Sequence, residues 1–175
     1  MSTPALADRA APAPRLDQAG LRRAYGQAPS PLVAIAALGP DGPIGLIASS
    51  FTSVSIEPAL VSVNIALSST TLPLLREAPH WGVSVLADGQ QEVTEQLRRP
   101  ARRRFDQVAW SVDEDGAVHL DGAAAGFSTQ PAAWLPAGDH TIVLLQVHDH
   151  YGHDHRSPLV FHRSTVARLS GGTLR

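Results

Sequence analysis

Between Leu32 and Ser55 the chain doubles back on itself. An apolar run, Leu32 to Leu38, meets Gly39-Pro40-Asp41-Gly42-Pro43 and then a second run, Ile44 to Ser55. Two glycines and two prolines in five residues set a tight turn, so the flanking runs are read as antiparallel strands of one hairpin. The pattern recurs: Leu60 to Leu67 alternates with Val61, Val63 and Ile65 on one face, and Trp81 to Ala87 follows. Further strands are expected around Val118 to Leu120, Ala123 to Thr129, His140 to His148 and Leu159 to His162. Helices are few. Asp17 caps one that runs through Gln27, Leu72 to Ala78 forms a second, and Gln90 to Arg99 a third stopped by Pro100. A doubly wound parallel sheet needs a helix between most strands. Many short strands with two or three flanking helices instead predict a mainly β protein closed into a barrel, which removes open strand edges.

The 175 residues, 43% of them hydrophobic, suffice for one core. We expect a disordered lead-in over 1–15, a single domain over 16–170 and a flexible tail over 171–175. Fourteen Lys and Arg against 16 Asp and Glu give a net charge of −2, which suggests no general nucleic-acid surface. The chain has no cysteine, which excludes disulfides, thiolate metal sites and cysteine nucleophiles. No window approaches the ~18 consecutive apolar residues of a membrane span, and the Ala/Pro-rich lead-in lacks the apolar core of a secretion signal. A cytoplasmic protein without membrane or nucleic-acid partners is the expectation.

Ala48-Ser49-Ser50-Phe51-Thr52-Ser53-Val54-Ser55 concentrates hydroxyls beside strand-like residues. Each buried hydroxyl costs roughly 1–3 kcal/mol unless it finds a partner, and a polar ligand would supply one. The next strand ends in Ser68-Ser69-Thr70-Thr71, where Ser69 or Thr70 can cap the helix that follows. Two hydroxyl-rich strand ends, one opening a helix, make a cradle for a phosphate on a small cofactor; a Ser/Thr-rich turn with an ordinary cap is the plainer alternative. His148-Asp149-His150-Tyr151-Gly152-His153-Asp154-His155 interleaves imidazoles and carboxylates, but its spacing matches no closed metal motif. It is read as a polar loop between the last two strands, with no metal assigned.

In order and interval, the chain from about Leu21 to Leu169 resembles the flavin reductase-like family with the FMN-binding split β-barrel, the small reductase components of two-component flavin monooxygenases. The residues that carry the resemblance are Gly45-Leu46-Ile47-Ala48-Ser49-Ser50-Phe51-Thr52-Ser53-Val54-Ser55, Ile56-Glu57-Pro58-Ala59-Leu60-Val61, Ser68-Ser69-Thr70, Arg104-Phe105, Leu120-Asp121-Gly122, Gly138-Asp139-His140 and Pro158-Leu159-Val160-Phe161-His162-Arg163. It implies a Greek-key type split barrel and assigns Ala48, Ser49, Ser50 and Thr52 to flavin contacts. Ser68, Ser69 and Thr70 would continue the phosphate and ribityl site, with Arg104 adding charge and Phe105 apolar packing. Arg102 and Arg103 read as a solvated basic loop. His140 is the catalytic candidate on the nicotinamide side, its ring oriented by Asp139, with His162 and Arg163 as further candidates there.

The resemblance implies an NAD(P)H-dependent flavin reductase: hydride passes from NADH or NADPH to FMN or FAD, and the reduced flavin supplies a partner monooxygenase. A homodimer is expected on the same ground. No Ser-His-Asp arrangement or carboxylate pair argues for another reaction. Two departures, Ser30-Pro31-Leu32 and Phe127 to Pro136, keep open a flavin-retaining enzyme with a changed reaction. A non-catalytic flavin-binding or metal-binding module is the remaining alternative.

Overall fold

The computed structural model describes residues 16–169; the expected lead-in over 1–15 and tail over 171–175 lie outside them. Seven strands form one antiparallel sheet. With β1 at Ser30–Pro31, they are β2 (Val33–Gly39), β3 (Gly42–Ala48), β4 (Thr52–Ser55), β5 (Leu60–Ala66), β6 (Trp81–Val85), β9 (Ala125–Ala137) and β10 (His140–Gly152). Their order is β3-β2-β6-β9-β10-β5-β4. The outermost strands of that order, β3 and β4, are joined by only Ser49, Ser50 and Phe51. Three residues cannot span a flat seven-stranded sheet, so the sheet must curl until its ends meet. The result is a barrel that stays split, because β3 and β4 come together without pairing with each other.

Alternation decides what each face buries. Val33, Ile35 and Ala37 of β2, Val61, Val63 and Ile65 of β5, Val83 of β6, and Val143 and Leu145 of β10 fill the interior, capped by Leu72 and Leu75 of α2 (Leu72–Glu77). The opposite face of β2, through Ala34, and Leu32 just before the strand pack a second core with Leu86, Leu97, Leu120 and Leu159. Helix α3 (Gln91–Gln96), the hairpin of β7 (Trp110–Val112) and β8 (Val118–Leu120), and the small sheet of β1, β11 (Leu159–His162) and β12 (Thr165–Arg168) surround that core. Strand β8 crosses β6 so closely that a Cβ on Gly82 would run into the Val118 carbonyl. Among the described residues, no helix is long and apolar enough to cross a membrane.

Several expected boundaries move. The strand expected over Ile44 to Ser55 breaks at Ser49–Phe51, where the barrel closes. The helix from Asp17 is α1 (Gln18–Tyr25), with both Asp17 carboxylate oxygens accepting from Ala19 and Gly20 N–H. Ser69 and Thr70 do not cap α2: Thr71 holds the N-cap without a side-chain cap bond. The strand starting near Ala123 continues to Ala137, through Pro131 and Pro136, because β9 pairs with β6 only as far as Thr129. Beyond it the prolines sit on a free edge, where a missing N–H costs no ladder bond. The segment read as a loop from His148 is still strand up to Gly152. Among the described residues, no three His, Asp or Glu side chains come together as a metal site.

The β7–β8 hairpin is pinned by a buried polar cluster. Ser128 Oγ donates to Asp113 Oδ2 at 2.6 Å, leaving its lone pairs to face His119 Nε2 at 3.0 Å. The other Asp113 oxygen accepts from the Ala117 and Asp115 amides at 2.8 and 3.1 Å. Burial pushes the Asp113 carboxyl up, but the bonds from Ser128, Ala117 and Asp115, with His119 nearby, outweigh it and hold it below the ordinary carboxylate range. A carboxyl more acidic when folded adds stability above its unfolded value, ~3.9, and loses it as pH falls through the lower folded one. Asp113→Asn is therefore expected to lower stability at neutral pH and to flatten the decline below about pH 4. Urea unfolding at stepped pH checks both.

Candidate functional site

Because Val61, Val63 and Ile65 face inward, Asn64 and Ala66 must face outward. On β10 the cross-strand partners of those two are Ile142 and His140. Opposite residues on neighbouring strands share a face, so these four form an outward-facing floor. The wall beside it is the end of β3 and the break that follows: Leu46, Ile47, Ala48, Ser49 and Ser50. Together with Ser69 and Ala137 they enclose a cavity of about 520 Å³, a volume typical of small-molecule sites.

Ser50 makes the break. It stands opposite Asn64 in the register that pairs Thr52 with Ser62, yet its side chain replaces the main chain in the ladder. The hydroxyl donates to Asn64 O at 3.1 Å and accepts from Asn64 N–H at 2.9 Å. The backbone of Ser49–Phe51 thus stands off from β5, and the gap opens into the cavity. The hydroxyl that was expected to need a ligand finds its partners within the chain. Phe51, next in sequence, stacks on Phe127 at 5.5 Å between centroids and anchors the break to the barrel.

On the opposite rim, Asp139 turns the β9–β10 hairpin and accepts from His140 Nδ1 at 2.7 Å. With Asp139 as the acceptor, the bond places a proton on Nδ1 and fixes the plane of the ring. The hydrogen bond from His140, then its charge, hold the Asp139 carboxyl below its ordinary range, with a smaller contribution from Arg22.

The expected site residues divide. Ala48, Ser49, Ser50, Ser69 and His140 line one cavity, with Asp139 bonded to its histidine. Thr52, Ser68 and Thr70 are exposed and lie outside its lining. Arg104 works from behind β3: Nη1 donates to Gly45 O and Thr71 Oγ1, both at 2.7 Å, and Nε to Arg99 O at 2.9 Å. Burial draws its pKa down from the ordinary arginine value. It braces β3 against the start of α2 rather than lining the cavity. Phe105 packs in the second core, where a Cβ on Gly45 would strike its ring. His162 ends β11, and Arg163 lines a different hollow, against α1. The sequence reading missed Asn64, Ala66 and Ile142. Their signal was present in β5, whose alternation leaves an asparagine and a small residue on the outer face.

What fits this cavity is a flat, largely apolar molecule with polar edges. Leu46, Ile47, Ala66 and Ile142 offer apolar contact, and Ser49–Phe51 lie outside the strand ladder, with peptide groups that can meet hydrogen-bonding ring edges.

The description "Flavin reductase like domain" matches residues 25–170 of the chain. An FMN reductase (NADH), SmoA, of Agrobacterium fabrum is 34% identical over 149 residues, covering 85% of this chain and 84% of that protein. The reductase component of a flavin-dependent trigonelline monooxygenase from Acinetobacter baylyi is 34% identical over 128 residues; this chain spans only 41% of its length. Among solved structures, the NADH:FAD oxidoreductase SgcE6 of Streptomyces globisporus, in complex with NAD and FAD fragments, superposes with a TM-score of 0.84 at 30% identity. It covers 90% of this chain and 96% of that one.

Proposed function

The chain belongs to the family of flavin reductase like domains, and from that premise we propose that it is an NADH-dependent flavin reductase whose reaction takes place in the cavity between β3, β5 and β10. The observation that carries the reading is the joining of the Ser49–Phe51 break and His140 on one outward-facing hollow. When bound, a flavin supplies the hydride acceptor and the nicotinamide the donor.

The protein's part is to bind, orient and exclude water. Ala48, Ser49 and the peptides of the break hold the isoalloxazine edge, Asn64, Ala66 and Ile142 form the surface beneath it, and Ser69 serves the ribityl and phosphate end. Thr52, Ser68 and Thr70 act further along that phosphate arm, and Arg104 positions β3 and Thr71 beneath it. His140, fixed by Asp139, touches the nicotinamide carboxamide and sets the ring stack; no protein group needs to move a proton in the hydride step.

His140→Ala is expected to slow flavin reduction by NADH roughly 10-fold through misplacement of the donor, while fluorescence titration finds FMN affinity unchanged. The reading as a whole is tested by anaerobic mixing of protein and FMN with NADH. Stoichiometric bleaching of the visible flavin band is expected, and binding without bleaching would make the chain a flavin carrier.

Reduced flavin would pass to a monooxygenase, as the name of the Acinetobacter relative indicates for that protein. We also infer a homodimer. Edge strand β4 exposes Val54, and Ile56 just beyond it is 86% exposed; a second copy covering them would remove an open edge beside the cavity. We also read the protein as cytoplasmic, which the use of a nicotinamide dinucleotide as reductant supports.

A further inference from the structure

Strand β3 lines two hollows. Its end, Leu46 to Ala48, is the wall of the candidate site, and the three residues before them, Pro43, Ile44 and Gly45, line a second hollow of about 380 Å³. Ile44 and Ile47, the middle residues of the two stretches, stand ~10 Å apart along the strand. The facing side is continuous as well. Ser69 lines the first hollow and Thr71 the second, and the Thr71 N–H donates to Ser69 Oγ at 3.3 Å. The two hollows are neighbouring reaches of one groove between β3 and the start of α2.

The second reach suits a flat group with a charged tail. Pro40 and Pro43, whose rings fix the turn between β2 and β3, line it with Ile44 and with Leu74 of α2, which is 44% exposed. Arg104 sets its width from behind, because Nη1 donates both to Gly45 O on one wall and to Thr71 Oγ1 on the other, each at 2.7 Å. Asp41 and Arg102, both exposed, complete the lining. Among the described residues neither has an ion-pair partner, so both charges are free to meet a ligand.

We propose that this second hollow receives the adenosine half of FAD, so that the chain takes FAD in preference to FMN. This rests on the reading above that a flavin occupies the first hollow. A flavin over Asn64 and Ala66 brings its phosphate to Ser69, at the border between the two reaches. FMN ends there. FAD continues with a second phosphate, a ribose and an adenine, and the ~10 Å from Ile47 to Ile44 is a length that a pyrophosphate and a ribose cover. The apolar walls take the face of the adenine, Asp41 accepts from its amino group, and Arg102 meets the pyrophosphate with a guanidinium fork. Arg102, which the sequence assigned to solvent alone, thereby gains a ligand.

The test measures FAD and FMN affinities by calorimetry, without nicotinamide, for the unaltered protein and for the double variant Leu74→Ala/Arg102→Gln. Both side chains are exposed, and a thermal melt checks that the variant folds. FAD is expected to bind the unaltered protein at least about 10-fold more tightly than FMN, ~1.4 kcal/mol. In the double variant the two flavins bind within about 2-fold of each other, FAD having lost its advantage and FMN its place unchanged. Equal affinities in the unaltered protein, or an equal loss of both flavins in the variant, overturns the proposal and leaves the flavin site standing. KM for NADH with FMN as acceptor distinguishes the other adenine dinucleotide. It stays within about 2-fold in the variant, and a rise of about 10-fold would assign the hollow to the nicotinamide dinucleotide and overturn the proposal. Binding of neither flavin overturns the flavin site and the proposal together.

Discussion

Filling the cavity with an indole, by Ala66→Trp, is expected to weaken FMN binding at least about 100-fold, ~2.8 kcal/mol, and to leave the fold intact. Ala66 sits on the outward face of β5, directly across from His140, and lines the hollow. A tryptophan there adds nothing to the barrel interior, which is packed from the other face by Val63 and Ile65. The isoalloxazine and the indole would compete for one volume, and affinity built on apolar contact area is lost with that volume. Fluorescence titration measures the constant, and an unchanged thermal melt separates blockage from unfolding.

A loss of opposite character is expected from Trp81→Ala: about 3–5 kcal/mol of stability, enough to unfold much of the population at growth temperature. Trp81 opens β6 fully buried. Its ring meets Trp134 edge-on at 5.6 Å between centroids, and its Nε1–H donates to the Leu75 and Ala78 carbonyls at 3.0 and 3.1 Å, closing the end of α2. Truncation leaves a cavity and two carbonyls without their donor. Denaturant unfolding followed by circular dichroism reads the change.

These two sites show what could be read from the chain alone. The hairpin turn was legible because Gly39 to Pro43 admits almost no other backbone path, and the inward face of β5 because Val61, Val63 and Ile65 alternate without interruption. The break at Ser49–Phe51 was not, since the residues on both sides are equally strand-like. Its cause lies 14 positions away, in the exchange between the Ser50 hydroxyl and the Asn64 main chain. The length of β9 was hidden for a similar reason. Prolines at 131 and 136 argue against a strand until it is known that β9 has lost its neighbour on one side there. Arg104 stood out as a charge before an aromatic residue, but its duty toward Gly45 and Thr71 belongs to tertiary packing. His140 was legible through Gly138-Asp139-His140, whereas its floor partners, Asn64 and Ile142, became visible only when the register of β5 against β10 placed them on its face.

On the proposed function, flavin and nicotinamide meet on the outer face of β5 and β10, against the Ser49–Phe51 break. A crystal structure of the protein with FMN and NAD bound tests it most directly. An isoalloxazine lying over Asn64 and Ala66 with its edge at Ala48 to Ser50, and a nicotinamide stacked on it beside His140, is the expected result. Flavin ordered elsewhere on the barrel, or a hollow with no flavin at saturating FMN, would contradict it.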